Sequence, residues 1–570
     1  MTDALDTGNY GEFKFYPARS GRAAHGYAIK GGPTQQQGSD MLNTPMGRRG
    51  MITTPHHLAS QAGLAVLREG GNAIEAAIAA AATLSVVYPH MTGLGGDGFW
   101  LIAEPGKPPI SIDGSGAAGA AVERDLYRAE RLKAVPARGG LAANTVAGAV
   151  SGWKLALDLS EQWGGGMPLE RLFEDAIHYA REGSAVTAHQ EAATRRNLAA
   201  LRKAPGFAQT FLVRNKPPAV GALIAQPALA DTLERLAEAG LDDFYRGDIA
   251  RTMAEDLRDA GSPLKSEDLA RHRGMRRRPL SLGLTHGTLF NTAPPTQGLA
   301  SLILLGVFQR LGASVPDEAA WVHALVEATK IATRVRDTHI TDPNRMSVHA
   351  TTYLSEHLLD RLAGEVDPTR AQPAAQVLGD GDTVWLGVID GQGRAVSFIQ
   401  SLFHAFGSGV VLPRSGIVWH NRGVSFSLDP EHRNALEPRR KPFHTLSPAL
   451  ARLKDGRTMV WGSMGGDSQP QIQAQVFARA VVGGQSLQAA LTAPRFVYGR
   501  SADGLPGTDL KLEARYSPEL VDELARLGHA VESVAPFDSL MGHAGALIRR
   551  ADGLIEGAAD PRADGIAAGW

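Results

Sequence analysis

The tightest constraint on this sequence of 570 residues is a turn cluster, Asp390-Gly391-Gln392-Gly393-Arg394, set between two strand-like runs. Thr383 to Asp390 and Ala395 to Leu402 are rich in β-branched and aromatic residues, which together with the turn predicts a β-hairpin. Pairing centred on Gln392 sets Asp390 against Arg394 and Thr383 against Ser401. Directly opposed side chains have Cβ atoms about 4.5–5.5 Å apart, so two hydroxyls would meet on one strand face. A bulge at the glycine turn would shift that register by one. Thr and Ser are also ordinary strand and turn residues, and the hairpin alone leaves that plainer reading open.

The chemical reading follows from what a threonine lacks. Its hydroxyl is a poor nucleophile without a base in reach. A cut before Thr383 would free an α-amino group, which titrates near ~7.7–8.0 and can take the hydroxyl proton directly or through water. Before the cut, the same hydroxyl could attack the carbonyl of Asp382 to give an ester that water resolves, while Ser401 donates a hydrogen bond to the threonine oxygen. The preceding stretch, Ala371 to Gly381, is rich in Pro, Ala and Gly and suits an exposed segment open to cleavage.

Charge balance excludes some partners. Lys plus Arg is 58 against 59 for Asp plus Glu, which gives no electrostatic case for nucleic acid or an anionic membrane. Cysteine is absent, removing disulfides, thiolate metal sites and cysteine nucleophiles together. Residues 1–48 are polar and glycine-rich, without the apolar run a secretory signal needs, and are expected to form a flexible arm on a cytoplasmic protein. Ala76 to Val87 is the most apolar segment and is too short to cross a bilayer.

Periodicity predicts helices over His57 to Arg68 and Ala73 to Val87, the second capped by Asn72 and buried on all sides. Ala143 to about Leu269 reads as mostly helical. Further helices are expected over Leu299–Leu311, Trp321–Arg336, Gln469–Val482 and Pro518–Leu527, with short strands elsewhere after Thr383.

Four other motifs carry alternatives. Met91-Thr92-Gly93-Leu94-Gly95-Gly96-Asp97-Gly98 resembles a phosphate loop in glycine content, but it enters a strand rather than a helix, the reverse of phosphate-binding geometry. Gly465 and Gly466, between the strand Thr458–Trp461 and a helix, could aim N–H groups at an oxyanion or form a plain tight turn. His404, His420, His432 and His444 lack zinc-type spacing, so solvated or supporting histidines are expected, with no metal or cofactor. Arg439, Arg440 and Lys441 could grip an anionic substrate, but a solvated turn is the default.

Taken together, these segments resemble the gamma-glutamyltranspeptidase family of N-terminal nucleophile hydrolases. The resemblance rests on Glu69-Gly70-Gly71-Asn72-Ala73, Gly93 to Phe99, Pro294-Pro295-Thr296-Gln297-Gly298, Phe406-Gly407-Ser408-Gly409, Pro442 to Pro448, Gly462 to Gly466 and Asp560-Pro561-Arg562, and runs from about Gly50 to Trp570. It implies an α/β (α+β) four-layer αββα sandwich and a precursor cut between Asp382 and Thr383. The large subunit would be 49–382 and the small subunit 383–570, the two forming one intertwined unit that can assemble as a homo-oligomer. By the same resemblance Thr383 is the nucleophile, Ser401 the second hydroxyl, and Gly465 and Gly466 the oxyanion hole.

Departures from the family pattern matter as much. The family start, Thr-Thr-His-x-Ser, is here Thr383-Val384-Trp385-Leu386-Gly387. Glutamyl enzymes hold the substrate α-carboxylate with an arginine in Ile-Asp-Phe-Arg-Glu, where this chain has Ile112-Asp113-Gly114-Ser115-Gly116. They hold the α-amino group with an acid after Asn-Asn-Gln, where this chain has His420 to Ser425. A buried substrate charge without its partner is costly, so γ-glutamyl compounds are expected to be poor substrates. The start and the Trp419-x-Asn421-Arg422-Gly423 run look most like the oxamate amidohydrolase branch, cytoplasmic enzymes of purine breakdown. Asn421, Arg422, His444 and Thr445 are then candidates for substrate contacts, Arg422 for a carboxylate. Two alternatives stand beside this reading: a γ-glutamyl hydrolase/transferase or related acylase, and an unprocessed, non-catalytic binding protein.

Overall fold

A strand buried on both faces needs two covering layers, and the central hairpin has them. In the computed structural model, which describes residues 42–314, 317–373, 381–500 and 506–570, Asp382–Asp390 pairs antiparallel with Ala395–Phe403. Val384 lies opposite Gln400, Leu386 opposite Phe398 and Val388 opposite Val396. Side chains alternate across a strand. Val384, Leu386, Val388, Val396 and Phe398 therefore enter one core, while Trp385, Ile389 and Ile399 enter another with Leu450, Val460 and Leu547.

The hairpin sits in the middle of a seven-stranded sheet ordered Ile566–Gly569, Gly50–Thr54, Asp382–Asp390, Ala395–Phe403, Asp97–Ala103, Ile110–Gly114, Met275–Arg277. A second sheet of seven strands packs on its inner face, in the order Met46–Gly47, Ile555–Ala559, Ala544–Arg549, Thr458–Ser463, Ala449–Leu453, Gly287–Asn291, Leu280–Leu284. Helices His57–Arg68, Ala73–Val87 and Ala149–Gln162 cover the outside of the first sheet, and Gly298–Leu311 and Gln469–Phe477 that of the second, with Glu318–His339 packed on both of these helices. The result is the expected αββα sandwich. Both sheets combine strands from before and after Asp382.

The most apolar helix behaves as its composition requires. Every residue of Ala73–Val87 is buried, and its alanines let it lie close to the sheet. Its start is closed by Asn72, whose Oδ1 accepts from Ile74 N at 2.9 Å, while Glu75 Oε2 accepts from Asn72 N at 2.8 Å; such a reciprocal cap satisfies two otherwise orphaned donors. No helix among the described residues is long and apolar enough to cross a membrane.

Some expectations change at element ends. The helix expected over Gln469–Val482 is α-helical only to Phe477 and widens into a π turn, Ala478–Val482, closed by Gly483 N donating to Ala478 O at 2.7 Å. The helix expected over Trp321–Arg336 spans Glu318–His339, one cap being the Asp317 side chain. Residues 1–41 of the expected arm, and 374–380 of the expected cleavage segment, lie outside the described residues; Arg48 and Arg49, at the arm's end, both donate backbone N–H to Trp570 O at 2.9 Å.

The glycine-rich loop before Asp97–Ala103 shows why it needs glycine. A Cβ on Gly96 would stand 2.4 Å from Ser401 O, and one on Gly95 2.2 Å from Val418 O. The loop is a backbone-to-backbone seam against Ser401 on one side and Val418 on the other. Gly96→Ala should therefore force the seam apart and destabilise the protein by about 1–3 kcal/mol, read as a lowered Tm; an unchanged Tm would refute the seam's role.

Candidate active site

Three neighbouring strands place three polar side chains in one row on the inner face of the first sheet. Ser401 is the ladder partner of Asp97, and Thr383 Oγ1 donates to Ser401 Oγ at 3.1 Å. The contact expected from pairing about Gln392 is thus present. The register slip lies not at the glycine turn but between Asp382 and Val384, where Asp382 pairs with Phe403. Its cause is local: Phe403 has φ +79°, and its N–H donates to Ser401 Oγ at 2.8 Å. The Ser401 hydroxyl in turn donates to the carbonyl oxygen of Asp382. Two hydroxyls and one peptide carbonyl therefore form a single chain at the Asp382–Thr383 bond, with Thr383 and Ser401 both 1% exposed.

The turn after Thr458–Ser463 reaches the same bond from the second sheet. Gly465 (φ +130°) and Gly466 (φ +52°) adopt conformations that side chains disfavour. A Cβ on Gly381 would lie 3.1 Å from Gly466 Cα, which fixes how closely the turn approaches. The turn is held by residues sequence reasoning did not select. Gln297 Nε2 donates to Gly466 O at 2.8 Å and to Thr445 O at 2.6 Å, and Gln297 Oε1 accepts from Arg336 at 3.0 Å. Arg336 also pairs with Asp467 and Asp337, each at 2.8 Å. Burial alone would depress the Arg336 pKa, but the charges of Asp467 and Asp337 outweigh it and hold it above the ordinary arginine value. The only sequence signal was Gln297 in the Pro294–Gly298 motif.

A second arginine has no such partners. Arg422 is 1% exposed, its guanidinium lies 3.9 Å from the Phe403 ring centroid, and its Nη1 donates to Thr445 Oγ1 at 3.3 Å. Its Nη2 has no hydrogen-bond partner, and no carboxylate stands within ion-pair distance among the described residues. Burial pushes its pKa down to about 10, against the charges of Asp97 and Asp467. Arg422 and Thr445 thus meet beside Phe403, two residues from Ser401 on the same strand.

His444, His420 and Asn421 surround this point differently. His444 is fully buried, stacks edge-on to Phe99 with 5.1 Å between ring centroids, and has both ring nitrogens without hydrogen-bond partners. Burial first, and then the charge of Arg422, holds it well below the usual imidazole range, so it is neutral. Asp97 Oδ2 lies 3.3 Å from His420 Nδ1 and 3.6 Å from His444 Nε2. Burial would raise the Asp97 carboxyl; His420 above all, and Arg422 after it, bring it below its ordinary range. The Asn421 amide is spent on the protein: it donates to Ala137 O at 2.9 Å and accepts from His404 N at 3.2 Å. Of the solvated or supporting histidines expected, His432 is exposed, while His420 and His444 are fully buried beside Asp97.

The basic turn also differs from its default. Arg439 is exposed, but Arg440 is buried and donates to Ala435 O (2.8 Å) and Thr341 Oγ1 (3.0 Å). Lys441 Nζ reaches Asp113 Oδ2 at 2.9 Å and Ser115 Oγ at 3.2 Å. An ammonium thus stands beside Ser115, where glutamyl enzymes are expected to carry arginine, yet Asp113 already neutralises it. Elsewhere, His323, Glu327 and His529 bring ligand atoms within 4.8 Å of one another, but the two imidazoles bond each other at 2.8 Å and Glu327 pairs with Lys330 at 2.7 Å.

The family model described as gamma-glutamyltranspeptidase matches residues 59–570. The chain is 52% identical to the oxamate amidohydrolase proenzyme of Klebsiella pneumoniae over 93% of its own length and 100% of that protein. It is 37% identical to a glutathione hydrolase-like proenzyme of Bacillus subtilis, again over 93% of this chain and 100% of the relative. Among solved structures, the cephalosporin acylase from Bacillus halodurans superposes with a TM-score of 0.84 at 32% identity, covering 95% of this chain and 99% of that one.

Removing the Arg336 side chain while keeping its bulk should strand Asp467 and Asp337. Arg336→Met is expected to cost about 3–5 kcal/mol, since breaking a buried pair leaves uncompensated charge. Thermal unfolding checks it; a Tm within a degree of wild type would contradict the lock described for the Gly465–Gly466 turn.

Proposed function

The chain belongs to the gamma-glutamyltranspeptidase family and is a hydrolase of amide C–N bonds, and from that premise we propose that it cuts itself between Asp382 and Thr383 and then hydrolyses a small amide acid, oxamate foremost. In the first reaction Thr383 Oγ1 attacks the Asp382 carbonyl carbon and the Asp382–Thr383 C–N bond breaks, giving an ester that water hydrolyses. The products are a large subunit, 49–382 with the arm, and a small subunit, 383–570. The freed amine of Thr383 is the general base of the second reaction.

In turnover the Thr383 hydroxyl gives its proton to that amine and attacks the substrate amide carbon. The Gly465 and Gly466 N–H groups bind the oxyanion; losing one such donor typically costs about 2.7–4 kcal/mol. Collapse of the adduct returns the proton to the leaving nitrogen as ammonia departs, and water then releases oxalate from the acyl-threonine. Ser401 orients the threonine oxygen throughout.

The observation that carries the substrate assignment is Arg422: a fully buried guanidinium with an unpartnered Nη2, beside Thr445. A buried cation without a counter-charge is costly, and a carboxylate bound through a guanidinium relieves that cost by a charge-assisted, bidentate contact. Oxamate offers a carboxylate one bond from the amide carbon and no ammonium to satisfy. The Klebsiella relative named for this reaction supports the same choice.

Ammonia release from oxamate, compared with turnover of γ-glutamyl-p-nitroanilide, tests the reading; activity on the glutamyl substrate alone would sink it. Arg422→Gln should raise KM for oxamate by at least about tenfold, the worth of a charged hydrogen bond. Thr383→Ala should stay a single chain on denaturing electrophoresis and release no ammonia.

A further inference from the structure

One buried charge beside this site has no part in the chemistry above. Asp97 follows the glycine seam, and its backbone faces Ser401 across the ladder. Its Oδ1 is fixed by two backbone donors, Gly116 N at 3.1 Å and Gly148 N at 3.0 Å. Its Oδ2 is fully buried and meets no donor in good hydrogen-bond geometry, standing 3.3 Å from His420 Nδ1 and 3.6 Å from His444 Nε2. The carboxylate is therefore held rigidly by one oxygen while the other faces His420 and His444, near enough to Arg422 for each charge to act on the other.

Resting on the reading of Arg422 as a carboxylate site, we propose that Asp97 determines the charge class of the ligand: it lets the pocket hold a monoanion and repels a dianion. Arg422 has no carboxylate within ion-pair distance among the described residues, and the charge of Asp97 acts on it from farther off. A monoanionic amide acid adds one negative charge, which Arg422 accepts. The hydrolysis product of such an amide is a dicarboxylate, and its second charge meets Asp97 without a second cation, since the Lys441 ammonium is already paired with Asp113 at 2.9 Å. Repulsion between like charges in a buried site is far stronger than in water. Asp97 thereby favours product departure and biases the site against dicarboxylates as ligands.

Calorimetric titration of the processed wild type and Asp97→Asn with oxalate and with glycolate, a monoanion of similar size, tests this at pH 8. Asparagine keeps an acceptor for Gly116 and Gly148 and removes only the charge. Both ligands should bind the variant more tightly, oxalate by at least about tenfold more than glycolate. Equal changes for the two ligands, or weaker binding of both, would overturn the proposal while leaving the substrate reading intact. If neither ligand binds the wild type, Arg422 is not a carboxylate site and both fall together. Should Asp97→Asn fail to give processed protein, Asp97→Ser carries the same comparison, and a wild type that binds oxalate more tightly than glycolate would itself contradict the role.

Discussion

The structure depends on the contact between two hydroxyls, Thr383 Oγ1 and Ser401 Oγ, 3.1 Å apart on adjacent strands. Neither side chain could be held there by a surface hairpin. The two strands are fixed because each is buried on both faces: one side packs on the alanine-rich helix Ala73–Val87 and the other on the second sheet through Trp385 and Val460. Fully burying side chains of this size contributes about 1.5–3 kcal/mol each, so the register is set by packing that a one-residue slip would invert. The slip that does occur is confined to Asp382 and Thr383, and it brings the Asp382 carbonyl onto the Ser401 hydroxyl.

Two buried arginines divide the remaining work. Arg336 is paired with Asp467 and Asp337 and bonded to Gln297, so its charge is consumed in holding the Gly465–Gly466 turn. Arg422 is equally buried and, like Arg336, leaves its Nη2 without a hydrogen bond, yet it meets a hydroxyl and an aromatic face where Arg336 meets two carboxylates. Burial costs both ions several kcal/mol, and only the first recovers it within the protein. That contrast, rather than the presence of arginine as such, separates a structural ion from one suited to meet a ligand.

Much of this was legible in the sequence because it is local. The hairpin follows from turn chemistry and β-branched runs, and the cap at Asn72 from its place just ahead of the helical run Ala73 to Val87. What stayed hidden joins distant parts of the chain. Nothing local links Arg336 to Asp467 or Lys441 to Asp113, and Arg440, which reads as a solvated turn residue, is buried by packing that periodicity cannot encode. Asp97 was visible only as one residue of a glycine loop. Its significance comes from strand order, which sets it beside Ser401, and from the return of His420 and His444 to the same face.

All of these roles turn on where the chain is cut. N-terminal sequencing of the smaller fragment of the purified protein addresses that directly. The account predicts a sequence beginning Thr383-Val384-Trp385-Leu386-Gly387, which places the new amine on the residue that touches Ser401. A fragment starting at any other residue, or an active protein that remains one uncut chain, would contradict it.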